Sequence, residues 1–315
     1  MKITARYLFA TVLAALAFVL ASPSAQAAPI ALGDKVCLEC HKAEHTVWKE
    51  TKHFKSFRKI HKNKKAKKIV KAIGGKSMKK EAACALCHYT KVAKKAGKKP
   101  RPASGPSCES CHGASSNWIK VHNDYGGPNA KKADETATHK AERLKKAAAA
   151  GMIWSFDHYG IAENCMSCHG LNNAALDGKT LAAMLEAEHP LNPGFELVKY
   201  SQGSVRHRFY PPDVARNAKI TPAQLSEMFV EGQAAKLVSA TDALTKSDNP
   251  KYQAAQKARR ARAIAALEAA KSVPEVAALL ASPTKENALK LVDAIKGKNL
   301  SSLVGSRIPA NADYK

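Results

Sequence analysis

Four times the chain repeats cysteine, two residues, cysteine, histidine, and this pattern limits what it can fold around. The stretches are CLECH at 37–41, CALCH at 84–88, CESCH at 108–112 and CMSCH at 165–169. They use all eight cysteines: Cys37, Cys40, Cys84, Cys87, Cys108, Cys111, Cys165 and Cys168. The pattern reads as covalent attachment of c-type haem. Two thiols add across the two vinyl groups of one porphyrin, and a helical turn gives the pair that reach. The next residue then lies under the iron and offers an imidazole as proximal ligand. On this reading His41, His88, His112 and His169 are the proximal ligands, and the cofactors are four covalently bound haems c.

Zinc tetrathiolate sites, a thioredoxin-like redox pair and four structural disulfides also use paired cysteines. None of them needs a histidine after the second cysteine. Histidine makes up 12 of 315 residues, so four such placements by chance are roughly a one-in-a-million event. A haem load also answers a shortage of core material. Aromatic residues are 6% of the chain, and Lys and Arg together number 51. Porphyrins supply apolar mass that side chains do not. The expected fold is mainly α, with short helices, little sheet and long connections wrapped around the haems from 33 to about 210.

The first 27 residues have the charged, apolar and small-residue zones of a secretory signal peptide, with cleavage expected after Ala27. The apolar run Tyr7–Ala21 is short for a membrane span of about 20 residues. No later stretch is apolar enough to cross a bilayer. The mature chain, 28–315, is therefore expected to be exported to the periplasm without a transmembrane segment. Three regions are expected: the signal peptide 1–27, a haem-bearing domain 28–218, and a helical C-terminal extension 219–315. The extension has no cysteine or histidine. Thr221–Gln224 forms a capping box with proline at the first helical position, and Asn249-Pro250, Ser272 with Glu275, and Pro283 mark further helix starts. Upstream, Trp48, Phe54, Phe57 and Ile60 recur near helical spacing, residues between the second and third motifs read as a basic loop, and an Ala/Lys helix ends at Gly151.

The formal charge is +25, and +23 without Lys2 and Arg6. Export and covalent haem argue against a nucleic-acid role. A lysine-rich surface on an electron carrier instead suits redox partner proteins with acidic docking surfaces. Eight histidines lie outside the motifs: His45, His53, His61, His122, His139, His158, His189 and His207. Four irons need at most four of them, and an excess of histidine over methionine favours two-histidine ligation and low potentials.

At this point the chain resembles the tetrahaem cytochrome c-554 family, the electron carriers paired with hydroxylamine oxidoreductase in nitrifying bacteria. CLECHKAEHTVWKETKH resembles that family's opening motif, and GPSCESCHG its third, over roughly residues 33–207. The C-terminal helices and SQGSVRHRFYPP depart from it. The resemblance implies that His53 reaches the third haem and His122 the first. It implies a fourth-haem ligand from beyond that motif, His207 or else His189. It also implies an open iron face on the second haem, which His45, His61, His139 or His158 could fill. Among these, His158 has aromatic neighbours and Asp157 beside it. Two functions are then in view. One is a periplasmic electron carrier with no bond-making of its own. The other is a haem enzyme acting on a small nitrogen or sulfur species at an open iron, and no CxxCK-type motif accompanies it.

Overall fold

The computed structural model describes residues 28–93, 98–211 and 213–315. The expected signal peptide lies outside the described residues. The described chain is mainly helical, and in its first part the helices are short. α1 (Asp34–Leu38) runs into α2 (Lys42–Glu50), and Thr51 caps α3 (Lys52–Lys59) by accepting a hydrogen bond from the Phe54 amide. Asn63 caps α4 (Lys64–Ala72) in the same way, and α5 (Ala82–His88) follows. Such side-chain acceptors satisfy amides that a helix start leaves without partners.

The stretch expected as a basic loop is in part a two-stranded antiparallel ribbon. β1 (Thr90–Val92) pairs with β2 (Arg101–Ser104), with Val92 opposite Arg101. The Thr90 hydroxyl accepts from the Ser107 amide at 3.1 Å, which ties the end of the second motif to the start of the third. α6 (Cys108–His112) is itself the third motif, with Ser107 and Ser110 forming its capping box. α7 (Ala137–Ala149) ends before Gly151, whose φ of 97° suits glycine. α8 (His158–His169) ends on the fourth motif, and α9 (Gly178–Glu186) and α10 (Leu197–Ser201) follow.

The C-terminal part is built differently. α11 (Pro222–Ala243) starts at the Thr221 box, with both of its reciprocal hydrogen bonds made. α12 (Pro250–Leu267) starts at Asn249, whose side chain accepts from the Lys251 and Tyr252 amides. α13 (Pro274–Ala281) starts one residue later than Ser272 would place it, with Val273 at the cap. α14 (Lys285–Ile295) is capped by Thr284, next to the expected Pro283, and α15 (Ser301–Val304) closes the set. α11 is buried on nearly every side because α8, α10, α12, α14 and α15 surround it. At Gly232 an added Cβ would stand 2.9 Å from Leu197 Cβ, so glycine lets α10 and α11 close up.

One apolar core joins Tyr159 and Ala162 of α8 and Leu197 and Val198 of α10 to Phe229, Leu237, Ala263, Leu279 and Leu291. It therefore crosses the chain position 218/219. A second core joins Leu171, Leu181 and Leu185 to Ala243 and Tyr252, and a small third one holds Val70, Met78, Cys84, Ala85 and Tyr89. Among the described residues, no helix is long and apolar enough to cross a membrane.

Candidate functional site

Each motif sits on a helical turn, which puts its two cysteines, three residues apart, on one face with the histidine just beyond. The second motif ends α5, the third is α6 and the fourth ends α8, while the first bridges α1 and α2. All eight cysteines are free. They line a continuous cavity of about 2550 Å³, together with the four motif histidines and His53, His122, His189 and His207. A single small-molecule site occupies about 300–1,000 Å³, so this space suits several cofactors.

The histidines face each other in four pairs. Ring centres are 6.4 Å apart for His41 and His122, 6.2 Å for His88 and His189, 6.2 Å for His112 and His207, and 6.0 Å for His53 and His169. A metal held between two imidazole nitrogens at about 2 Å each, with about 1 Å more to each ring centre, asks for about 6 Å. Among the described residues, no three His, Cys, Asp or Glu side chains converge to hold a metal ion by themselves. A metal at such a pair would need its other ligands from elsewhere, and a porphyrin supplies four. Buried donors without acceptors also line the cavity: Arg206 Nε, Arg208 Nε and Trp118 Nε1. They suit the carboxylates that a haem carries.

Backbone carbonyls orient four of the rings. Nδ1 donates to a backbone carbonyl in His112 (Ile153, 2.9 Å), His122 (Ile119, 2.7 Å), His189 (Pro190, 3.0 Å) and His207 (Val205, 2.5 Å). That leaves Nε2 with the lone pair in each. Burial holds His88, His112 and His169 at a pKa of about 4 and also lowers His53, His122 and His189, so these rings are neutral, the form that ligates. Burial likewise raises the Cys84 and Cys111 thiols to about 11. Cys37 and Cys87 are raised too, through hydrogen bonds to Cys108 and Cys168 and then through burial.

The pairing departs from the one the resemblance implies at three places. His53 faces His169 of the fourth motif, not the third. His207 faces the third-motif His112, and His189 faces His88 of the second motif. The backbone explains His53: Gly105, just before the third motif, packs against the His53 carbonyl so closely that an added Cβ would overlap it. α3 therefore lies flat beside the third motif, and its histidine ring points past that motif to the fourth. His122 stands opposite His41. His158 faces no motif histidine; its Nδ1 is 3.0 Å from buried Glu231. His45 is buried against Asp34 at 2.9 Å, and His139 lies 2.9 Å from Glu135.

Supporting residues carried no motif signal. Glu109, between the cysteines of the third motif, is buried and accepts from the amides of Leu32, Gly33 and Ser115, anchoring the start of the described chain. Arg143 makes a two-pronged ion pair with Glu135, both contacts at 2.7 Å, and donates to the His122 carbonyl at 2.6 Å. These hydrogen bonds hold the Glu135 carboxyl at about 2. Phe195 stacks on His169 at 4.3 Å and Tyr200 stacks on Phe195. Asn164 donates to the carbonyls of Ser110 and Cys111, joining α8 to the third motif.

The C-terminal helices grip the segment just after the fourth motif. Gln256 donates to Gly170 O at 3.0 Å, Tyr252 to Leu171 O at 3.0 Å, and Lys246 to Asn173 O. Arg259 is 2% exposed, and its hydrogen-bond partners are all neutral: Gly170 O, Gln256 Oε1 and Ser239 Oγ. Burial lowers its pKa to about 10. A cation here meets the partial negative charge at the C-terminus of α8.

Residues 36–113 match the family described as cytochrome c554 and c-prime. A cytochrome c-554 of Nitrosomonas europaea is 33% identical over 143 residues, which is 44% of this chain and 56% of that protein. The match thus spans little more than half of that relative's length. No solved structure matches the chain. Three of the four motifs lie inside the matched stretch, and over that stretch the chain is similar to the cytochrome c-554 family.

Proposed function

We propose that this is an exported, periplasmic electron-transfer protein holding four haems c. Bound haem supplies a reversible one-electron couple at iron. Each cysteine pair is the thioether anchor of its motif, and His41, His88, His112 and His169 are the proximal ligands. The distal ligands, in motif order, are His122, His189, His207 and His53. His158 serves α8 through Glu231 instead. Residues 28–218 carry the cofactors, and 219–315 buttress the fourth motif.

The observation that carries this reading is the second imidazole opposite each motif histidine. Catalysis at iron needs a vacant position. A histidine on both sides of all four positions supports a carrier over an enzyme acting on a small nitrogen or sulfur species. The packing of the motif helices supports a relay as well: α1 meets α6, α6 meets α8, and α8 meets α5. The motifs therefore neighbour one another in the order first, third, fourth, second. The ends of the series are the first and second motifs, which are free to serve different partners.

Two measurements test the proposal. Intact mass of the mature chain 28–315 should show four added haems. Electron paramagnetic resonance of the ferric protein should show low-spin iron only, and His189→Ala should turn one haem high-spin. A high-spin haem in the unaltered protein, or a His189→Ala variant that stays fully low-spin, would overturn the carrier reading or the ligand set respectively.

A further inference from the structure

The two ends of the motif series carry different charge. Around the first motif, residues 34–50 mix Asp34, Glu39, Glu44 and Glu50 with Lys35, Lys42 and Lys49. Beside the second motif the balance is one-sided. Residues 51–80 contain thirteen Lys or Arg and no Asp or Glu. Among the described residues, ion pairs within 4 Å reach two of the thirteen, Lys55 with Glu50 and Lys68 with Glu188, and both pairs are exposed.

The fold aims this charge. The inner face of α4 is spent inside the protein: Val70 is buried in a cluster with Cys84 and Ala85 of α5, and Ile69 in one with Leu181, Met184 and Leu185 of α9, against which Ala83 and Leu86 of α5 also pack. The outer face shows Lys64, Lys65, Lys67, Lys68 and Lys71 to solvent. Lys65 lines the same cavity as His189 and His88. The lysine face and the second histidine pair are thus parts of one end of the molecule.

We propose that the α4 face is the docking port for an acidic one-electron redox protein, which exchanges electrons at the second motif. This rests on the carrier reading above. One electron leaves the reduced partner and enters the oxidised cytochrome, and no bond forms or breaks. Concentrated positive charge over one port steers encounter toward that port. A membrane surface is the rival occupant. It fits less well because the apolar face of α4 is already used inside the protein, which leaves no side chains to insert among lipid chains.

The test uses the full holoprotein and two reductants in flash photolysis: flavodoxin hydroquinone as the acidic protein probe and a small neutral flavin semiquinone. One variant carries Lys62→Glu, Lys64→Glu, Lys67→Glu and Lys71→Glu. A control carries Lys251→Glu, Lys257→Glu, Lys296→Glu and Lys298→Glu on the C-terminal helices, so both lose the same net charge. At low ionic strength the α4 variant should react with flavodoxin about 10-fold more slowly than wild type and lose most of its salt dependence. The control should change less than about 3-fold, and the neutral flavin should reduce all three proteins equally. Equal slowing in both variants would mean that only overall charge matters, and would overturn the port. So would an unchanged flavodoxin rate combined with loss of binding to phosphatidylglycerol vesicles, which would assign the face to a membrane. Failure of the neutral flavin to reduce wild-type holoprotein would sink the carrier reading, and the port with it.

Discussion

Residues 28–211 and 219–315 solve the burial problem in opposite ways. The C-terminal helices pack side chain on side chain: Leu237, Leu279, Leu291 and Ile295 are fully buried. The motif-bearing part has instead a small cluster around Val70 and Cys84, a second around Leu181 and Leu185 that leans on Ala243 and Tyr252 of the C-terminal helices, and a cavity of about 2550 Å³ lined by cysteines and histidines. Its walls are short helices fixed by caps and single polar anchors such as Glu109 and Thr90. A self-sufficient core and a cofactor-dependent one therefore share a chain, joined at α8, whose Tyr159 and Ala162 pack into the first and whose Cys165 and Cys168 line the second. The comparison teaches that the extension need not be a separate module. It can act as a foundation that fixes one motif while the other three depend on their cofactors and on one another.

The largest expected effect comes from removing the cofactors. Chain 28–315 made without haem attachment should lose slow amide exchange in α1–α6, where no continuous apolar core replaces the porphyrins. Slow exchange should survive in α11, α12 and α14. Exchange measured by mass spectrometry on the apo and holo chains would decide it. Equal protection of α1–α6 in both forms would erase the contrast between the two regions.

Much of this was legible beforehand, and for physical reasons. The CxxCH pattern is local chemistry, so spacing alone located every thiol and motif histidine. Thr221 and Asn249 mark helix starts because capping is also local, and both are N-caps here. Partnership across the fold was not legible. His53, His189 and His207 are each 95 to 116 positions from the motif histidine that they face. For His53 the telling feature is a close approach of backbone, Gly105 on the His53 carbonyl, which local spacing does not reveal. Arg143, Phe195 and Arg259 carried no signal because any helix can hold an arginine and any loop a phenylalanine. The β1–β2 ribbon was missed because lysine and proline on either side masked the short Thr90–Val92 strand.

An intermediate effect concerns Lys236, in the middle of α11. It is 3% exposed, and its Nζ donates to Phe195 O at 2.8 Å. Burial lowers its pKa from 10.5 to about 8, with the nearby Arg259 charge adding to the shift. A base whose folded pKa lies below its unfolded one costs stability while both states are protonated. Between about 8 and 10.5 the unfolded chain binds the extra proton, so stability should rise with pH across that window by up to about 3 kcal/mol. Lys236→Met should be more stable than wild type at pH 7 and should lose that rise. Urea unfolding of the holoprotein followed by far-ultraviolet circular dichroism at pH 7, 8.5 and 10 would show it. If both proteins have the same pH profile, the lysine reaches water and the extension is less dry than its packing implies.

The smallest expected effect tests whether the two regions communicate electrically as well as mechanically. Arg259 belongs to the self-packed region, yet its guanidinium reaches Gly170, the residue after His169. Its neutral partners leave the charge uncompensated. A fixed cation near iron favours the form with the extra electron, so under the proposed function Arg259 raises the potential of the fourth motif's haem. Arg259→Gln should lower that one potential by on the order of tens of millivolts, the scale for a unit charge acting through partly buried protein. Arg259→Lys keeps the charge and should restore most of the value, although it cannot repeat the guanidinium's hydrogen bonds. Redox titration followed by electron paramagnetic resonance, which separates low-spin haems by their g values, reads the four potentials individually. A shift shared by all four haems would indicate general loosening of the fold. A shift in one haem that the lysine variant fails to restore would assign Arg259 a purely mechanical role, holding the end of α8 so that His169 keeps its place beneath Phe195.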